Sequence, residues 1–246
     1  MHFDRGMKSL VVLLPTLNEA DGLRWVNRHL PFKRLEAMGF KTTCIVADGH
    51  SDDGSNVIAK TLNFDVFQQQ GTGKGNAIRQ GFGKAMLHNP DVVVMLDADG
   101  TYDPNEIIDF LPSLSKNDVV VGNRLTGKSS RDSMTKMNMM GNHFLTWFAS
   151  ILFGRKCEDL CSGYWMFSSK ALEKMKLNSA SFELEAELFA TCVHHGLKIE
   201  YVPIHYRPRI GDAKLGSTAD GWHILKKLIV RRIFPLPYEP TQQNMN

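Results

Sequence analysis

The sequence predicts an α/β domain whose mostly parallel central sheet is flanked by helices. Two observations carry that expectation. Apolar runs without polar alternation, of which Val92-Val93-Val94-Met95 is the plainest, mark strands covered on both faces. Those runs alternate with stretches of helical period, as βαβ units do. The 246 residues suit one large domain, or one domain with a C-terminal appendage.

Residues 9–14 are the first strand, closed by Pro15 and followed by Asn18-Glu19 and a helical pattern over 20–38. Residues 42–46 are the second, stopped by the turn formers of ADGHSDDGS, with a helix over 55–62 after them. Residues 64–67 are the third, and the glycine-rich QGTGKGNAIRQGF then opens a helix reaching Leu87. Residues 92–96 are the fourth. Pro104 suits the first turn of the next helix, where its missing N–H has no intrahelical partner to lose. Residues 119–121 are the fifth strand. Beyond it the pattern loosens into a helix over 137–153, a strand over 163–167, a helix over 182–194, a strand over 198–202 and a basic helix over 218–234. This divides the chain into a main α/β unit, 1–216, and a C-terminal basic amphipathic helix with its tail, 217–246.

Composition excludes several classes. A formal net charge of +3 is too mild for a nucleic-acid binder. The four cysteines form neither a CxxC pair nor a His/Cys zinc spacing, which favours a reduced, cytoplasmic setting. The polar opening MHFDRGMK argues against a signal peptide or anchor. The longest uncharged stretch, 137–154, is interrupted by Asn138, Asn142, His143, Thr146 and Ser150, so no spanning helix is expected.

In a parallel sheet the carboxyl ends of the strands form the ligand crevice. Asp48, Asp97 and Asp99 all stand at such ends and are expected on one edge. Two carboxylates one residue apart suit Mg2+ or Mn2+, which takes a few oxygen ligands and leaves places for phosphates. Taken alone, Asp99-Gly100 is more simply a turn signal.

The neighbours change that balance. VVLLPTLNEADGL, IVADGHSDDGS, GTGKGNAIRQGF and VVVMLDADGTYDP follow one another, each at a strand end. Together they resemble glycosyltransferase family 2, whose members have the GT-A nucleotide-diphosphosugar transferase fold, with a Rossmann-like sheet. VVVGNRL, DLCSGYWMFSSKAL, FELEAEL and VPIHYRPRIGDAKL narrow the likeness. They look like the dolichyl-phosphate mannose synthases and their polyprenyl-phosphate glucosyl and N-acetylglucosaminyl relatives, over residues 10–215.

The resemblance implies an inverting transferase that moves a sugar from a nucleotide diphosphosugar to a dolichyl or polyprenyl phosphate. Pro15, Leu17 and Glu19 match the motif that lines the nucleobase and ribose, and Asp48 the carboxylate that meets the base. Asp97 and Asp99 match the metal-binding pair, with the Ala98 backbone beside the nucleotide. Where relatives often carry Gln two residues on, this chain has Thr101. Lys74 stands where the glycine-rich stretch packs beside the nucleotide, although a glycine turn capping a helix accounts for that stretch more simply. Arg124 matches an arginine near the donor and acceptor phosphates. A further arginine is matched by Arg207 or Arg209 in alternative registers, followed by Lys214, with Ala213 replacing a family serine.

Glu185 falls in a Phe-x-x-Glu pattern of the family, and Asp159 matches another acidic site of the branch. Transfer to a sugar hydroxyl needs a carboxylate base. A phosphate acceptor, with a second pKa of about 6, is already ionised. Glu185 and Asp159 are therefore assigned to orientation rather than proton abstraction, while Glu183 and Glu187 are read as helix-surface acidity.

Two stretches suit a membrane surface. One is the apolar set Phe144, Leu145, Trp147, Phe148, Ile151, Leu152 and Phe153. The other is DGWHILKKLIVRRIF, which sets Trp222, Leu225, Leu228 and Ile229 beside Lys226, Lys227, Arg231 and Arg232. Peripheral attachment to the cytoplasmic face of a membrane is the expectation, against a core-packed helix with a solvated basic side. The rival functions are family 2 transfer to a soluble or glycan hydroxyl, a nucleotidyltransferase, and a non-catalytic nucleotide-binding module. A nucleotidyltransferase needs a basic glycine-rich loop after the first strand, which PTLNEADG is not. Against the family pattern, DADGTY leans the donor from mannose towards UDP-linked glucose or N-acetylglucosamine, with GDP left open.

Overall fold

The computed structural model describes residues 6–129, 133–211 and 218–236. Its first half comprises β1 (Lys8–Thr16), α1 (Ala20–His29), α2 (Phe32–Ala37), β2 (Phe40–Asp48), α3 (Ser55–Thr61), β3 (Asp65–Gln68), α4 (Lys74–Met86) and β4 (Val92–Met95). A 3-10 turn (Pro104–Glu106) leads into α5 (Ile107–Leu114) and β5 (Val119–Ser129). The rest comprises α6 (Lys136–Phe153), β6 (Trp165–Ser168), α7 (Ser169–Leu172), α8 (Leu184–His194), β7 (Ile199–Tyr206) and α9 (Thr218–Ile233).

The strands form one sheet in the order β3-β2-β1-β4-β6-β5-β7. β1 is parallel to β2 and β4, β2 to β3, and β5 to β7, while β6 runs against both its neighbours. Alternate residues feed opposite layers. Val11 and Leu13 of β1, Met95 of β4 and Phe167 of β6 join the apolar faces of α4, α6, α8 and α9. Leu10, Val12 and Leu14 of β1, Val94 of β4 and Met166 of β6 join those of α1, α2 and α5. Each such side chain, fully buried, contributes about 1.5–3 kcal/mol, so both layers hold the edge that carries the site.

Three expectations need correction. The helix over 20–38 is broken, because Leu30 is extended (ψ 123°) and Pro31 caps α2. Proline offers no N–H to a continuing helix and drives the residue before it out of the helical range. The fifth strand is far longer than 119–121. Past a register irregularity between Asn123 and Lys128 it pairs again with His205 and Tyr206 of β7.

The third correction concerns Glu187, which is fully buried rather than surface acidity. It accepts hydrogen bonds from Arg231 Nε (2.8 Å) and the Ser179 N–H (2.7 Å). The basic residues of the last helix therefore divide: Arg231 is buried, and Lys226 and Arg232 are exposed. Ile224 and Leu228 enter the core beside α8 and α6, so Leu228 is also withdrawn from any surface. Among the described residues no helix is long and apolar enough to cross a membrane.

Candidate active site

Pairing of Thr16 with Asp48 and of Leu13 with Met95 brings the carboxyl ends of β1, β2 and β4 to one edge. Pro15 is a residue of β1, and Leu17 lies just past its end, 43% exposed. Asp48 closes β2, is buried, and accepts from the Ser51 N–H at 3.3 Å. Beyond β4 the chain turns through Asp97-Ala98-Asp99. The Asp99 carboxylate accepts from both the N–H (2.9 Å) and the hydroxyl (2.6 Å) of Thr101. Thr101 thus orients Asp99. Gly163 makes room for the other carboxylate, since a Cβ there would lie 2.3 Å from Asp97 Oδ2.

Each carboxylate of the pair already has a cation beside it. Lys74, the first residue of α4, places Nζ 2.7 Å from Asp97 Oδ1 and 2.8 Å from Glu185 Oε1. Gly75 lets the 179–180 backbone come close, because a Cβ there would lie 2.5 Å from Ser179 O. That approach carries Glu185 to Lys74. Arg209 places Nη2 2.6 Å from Asp99 Oδ2 and Nη1 3.2 Å from Glu19 Oε1.

The electrostatics follow. Burial works against the charge on Lys74, but Asp97 and Glu185 outweigh it and raise the ammonium above its ordinary pKa. Arg209 is raised likewise by Asp99, Asp97 and Glu19. Burial and then Asp97 push Asp99 up, with Arg209 and Thr101 opposing. Burial also raises Glu185, against the pull of Lys74.

The segment after β7 is pinned to the carboxylate turn. Tyr102 bridges to Tyr206, the Arg207 N–H donates to Thr101 O (2.9 Å), and the Ile210 N–H donates to Asp99 O (2.8 Å). This separates the two arginines that the sequence left in alternative registers. Arg209 faces the carboxylates, whereas Arg207 stacks its guanidinium over the Trp25 ring, 5.0 Å from the centroid. Lys214 lies outside the described residues.

Arg124, on the unforeseen part of β5, is buried and grips Asp159 with two nitrogens, Nε at 2.8 Å and Nη2 at 2.7 Å. Its own N–H donates to the same carboxylate at 2.8 Å. The other side of the guanidinium lies over Tyr206, 5.4 Å from the ring centroid. Asp159 therefore positions Arg124 beside the pinned segment.

Sequence reasoning passed over Ser51, Asp53 and Ser55, reading DDGS as a stop signal, although serine and aspartate after a strand are ready caps for a neighbouring turn. It also passed over Tyr102, whose hydroxyl accepts the Gly163 N–H at 2.8 Å. No local pattern announces that contact.

A divalent cation fits this chemistry. Among the described residues, the carboxylates of Asp97, Asp99, Glu19 and Glu185 meet the cations Lys74 and Arg209, so acidic groups predominate at this edge. Among the described residues no group of three His, Cys, Asp or Glu converges as a full ligand set. Asp97 and Asp99 would hold such an ion in part, as Mg2+ is held where phosphates and water complete the shell.

Residues 11–176 match the family model for glycosyl transferase family 2. The chain belongs to that family. Relatives of this family 2 glycosyltransferase include Glycosyltransferase AglJ of Haloferax volcanii, 31% identical across 91% of this chain and 72% of the other. The dolichyl-phosphate hexose transferase of the same organism is 30% identical across 89% of this chain and 92% of its own. The hexosyltransferase Agl6 is 32% identical, and there the chain spans only 53% of the relative's length. Among solved structures, glucosyl-3-phosphoglycerate synthase from Mycobacterium tuberculosis with Mn2+, UDP and glucosyl-3-phosphoglycerate superposes with a TM-score of 0.69. It is 18% identical over 94% of this chain and 82% of that one, a likeness of fold. The family 2 chain has the GT-A fold that its motifs implied.

Proposed function

We propose that this family 2 enzyme transfers a hexose or N-acetylhexosamine from a UDP- or GDP-linked donor to a dolichyl or polyprenyl phosphate, inverting the anomeric centre. The observation that carries the reading is the pair Asp97 and Asp99 at the strand ends, each beside an exchangeable cation, Lys74 or Arg209. The name of the dolichyl-phosphate hexose transferase supports the acceptor class.

In this reading Pro15, Leu17, Glu19 and Asp48 receive the nucleoside. Bound Mg2+ or Mn2+ would neutralise the leaving diphosphate. Lys74 and Arg209 turn from the carboxylates towards phosphate oxygens, a charge-assisted contact available to both without leaving the edge. Arg124, held by Asp159, faces the acceptor phosphate. Glu185 orients the sugar and takes no proton, because the acceptor phosphate is ionised and attacks C1 unaided.

Attachment to a cytoplasmic membrane face is supported by the outer sides of α6 and α9. Phe144, Trp147 and Ile151 of α6 are exposed, as are Trp222 and Ile233 of α9 and Phe234 just past its end, with Lys226 and Arg232 among them. Apolar bulk ringed by cations suits an anionic interface.

The test is a panel of UDP- and GDP-sugars offered with polyprenyl phosphate or with the matching polyprenol, scored by nucleotide release in Mn2+ or Mg2+. One donor should turn over with the phosphate and fail with the alcohol. Equal transfer to the alcohol, lost in Glu185→Gln, would place the enzyme among hydroxyl-directed transferases instead.

A further inference from the structure

The turn that ends β1 and the turn that ends β2 are laced together. The N–H groups of Asn18, Glu19 and Ala20 donate to Ser51 Oγ, Ser55 Oγ and Asp53 Oδ2, each at 2.9 Å. In return the Asp52 N–H donates to Asn18 Oδ1, also at 2.9 Å. Ser55 is fully buried, and its hydroxyl donates to Asp53 Oδ1 at 2.5 Å, leaving its oxygen to accept from Glu19. Asn18 sits at φ 51°, a left-handed conformation that costs a non-glycine residue energy and that these bonds hold in place.

The consequence reaches the carboxylate pair. Glu19 is the N-cap residue of α1, yet its side chain caps nothing. The first N–H of that helix, at Ala20, is closed from the β2–α3 turn instead, as are those of Asn18 and Glu19 before it. The Glu19 carboxylate meets Arg209 Nη1 at 3.2 Å, and Arg209 Nη2 meets Asp99 Oδ2 at 2.6 Å. One connected series therefore runs from Asp53 through Ser55, Glu19 and Arg209 to Asp99.

We infer that Ser55 and Asp53 are positioning residues for the donor. They fix the Glu19 backbone, and with it the carboxylate that sets Arg209 against Asp99. Removing the Ser55 hydroxyl takes away the acceptor of the Glu19 N–H and lets Glu19 shift, although Ser55 is itself fully buried and the Asp53 oxygens are taken by Ala20 and Ser55. This rests on the reading that the edge takes a nucleotide diphosphosugar.

Titration calorimetry with UDP and with GDP, each in Mn2+, tests it on the whole chain. Ser55→Ala should weaken the preferred nucleotide about tenfold and Glu19→Gln by a similar factor. The double variant should fall no more than about threefold below the weaker single one, because one residue acts through the other. Asp53→Asn, which keeps the size but retains only one acceptor oxygen and so cannot serve both Ser55 and the Ala20 N–H, goes through the same cycle and guards against a Ser55→Ala chain that does not fold. Losses that multiply to about a hundredfold overturn the inference. So does a Ser55→Ala protein that melts lower yet binds nucleotide as the wild type does, since the lacing is then scaffold alone. A wild type that binds neither nucleotide overturns the functional reading itself, and this inference with it.

Discussion

Arg231–Glu187 beneath α9 and Arg209–Asp99 at the strand ends are made of the same groups and answer to different demands. The first pair is sealed, with side chains 3% and 0% exposed; the second is open on one side only, with Asp99 4% exposed and Arg209 27% exposed on a segment outside any helix or strand. A sealed pair has no water to replace a lost partner, so breaking it costs folding free energy. A pair at a solvent edge exchanges partners cheaply, which is what a site that admits charged ligands requires. Arg124–Asp159 stands between them: buried like the first, and beside the site like the second.

The sharpest break in this comparison is Asp99→Asn. Transfer should fall about 10²–10³-fold, the usual loss when a group stabilising transition-state charge is removed. Stability should hold or rise at neutral pH. Burial and Asp97 raise the Asp99 pKa, so its ionised form is disfavoured in the fold and stability declines as pH climbs past the ordinary carboxylate value. Initial rates together with melting curves decide this, and a large loss of melting temperature would make Asp99 structural.

Glu187→Ala should do the reverse. It strands Arg231 in the core at a cost of about 3–5 kcal/mol, which lowers Tm by roughly 10 °C for a chain of this size. Nucleotide affinity should stay within about twofold. A Tm close to that of the wild type would erase the distinction between the two pairs.

Lys74→Met lies between these. Without Mn2+ the variant should lose about 1–3 kcal/mol, because Asp97 and Glu185 are left beside one another without their shared donor. Mn2+ should restore its melting temperature and move the wild type less. An equal shift in both would show that Lys74 and the metal do not compete for Asp97.

The smallest effect concerns a carboxylate with no cationic partner among the described residues. Burial raises Glu106 to about 7; one oxygen accepts the His205 N–H at 2.7 Å and the other is buried without a partner. A raised carboxylate is best tolerated protonated, so wild-type stability should decline as pH rises from about 4.5 to about 7. In Glu106→Gln that slope should flatten by about 1 kcal/mol after allowance for solvent screening. Chemical denaturation across that pH range reads the difference.

The parallel half of the sheet was legible because apolar runs mark its inner strands, 10–14 in β1, 44–47 in β2 and 92–95 in β4, and the site carboxylates because turn formers stop those runs. Arg209 could not be told from Arg207 in YRPRIG, since two residues of spacing leave both plausible until Trp25, far away in the chain, takes one of them. Glu187 in FELEAEL looks like any helix acid, and what buries it is an arginine from another helix. The far part of β5 hid in GNRLTGK, whose polar residues meet acids or solvent rather than an apolar core: Asn123 pairs with Glu158 and Arg124 with Asp159, while Thr126 and Lys128 are exposed. Local pattern reports burial of apolar surface well; it is blind to which charge meets which.

The place of β6 between β4 and β5, although it is made after both, gives the sheet a history. On the ribosome β4 shows an open edge from residue 95 until residue 168 has been added. At 5–20 residues per second, that interval is roughly 4–15 s. Within it, once residue 129 has been added, β5 exists but has no neighbour to settle against, and a bare strand edge is a template for pairing with other chains. Translation arrested in this interval should yield an aggregating fragment that needs a chaperone, while an arrest after β7 should leave a nearly closed sheet.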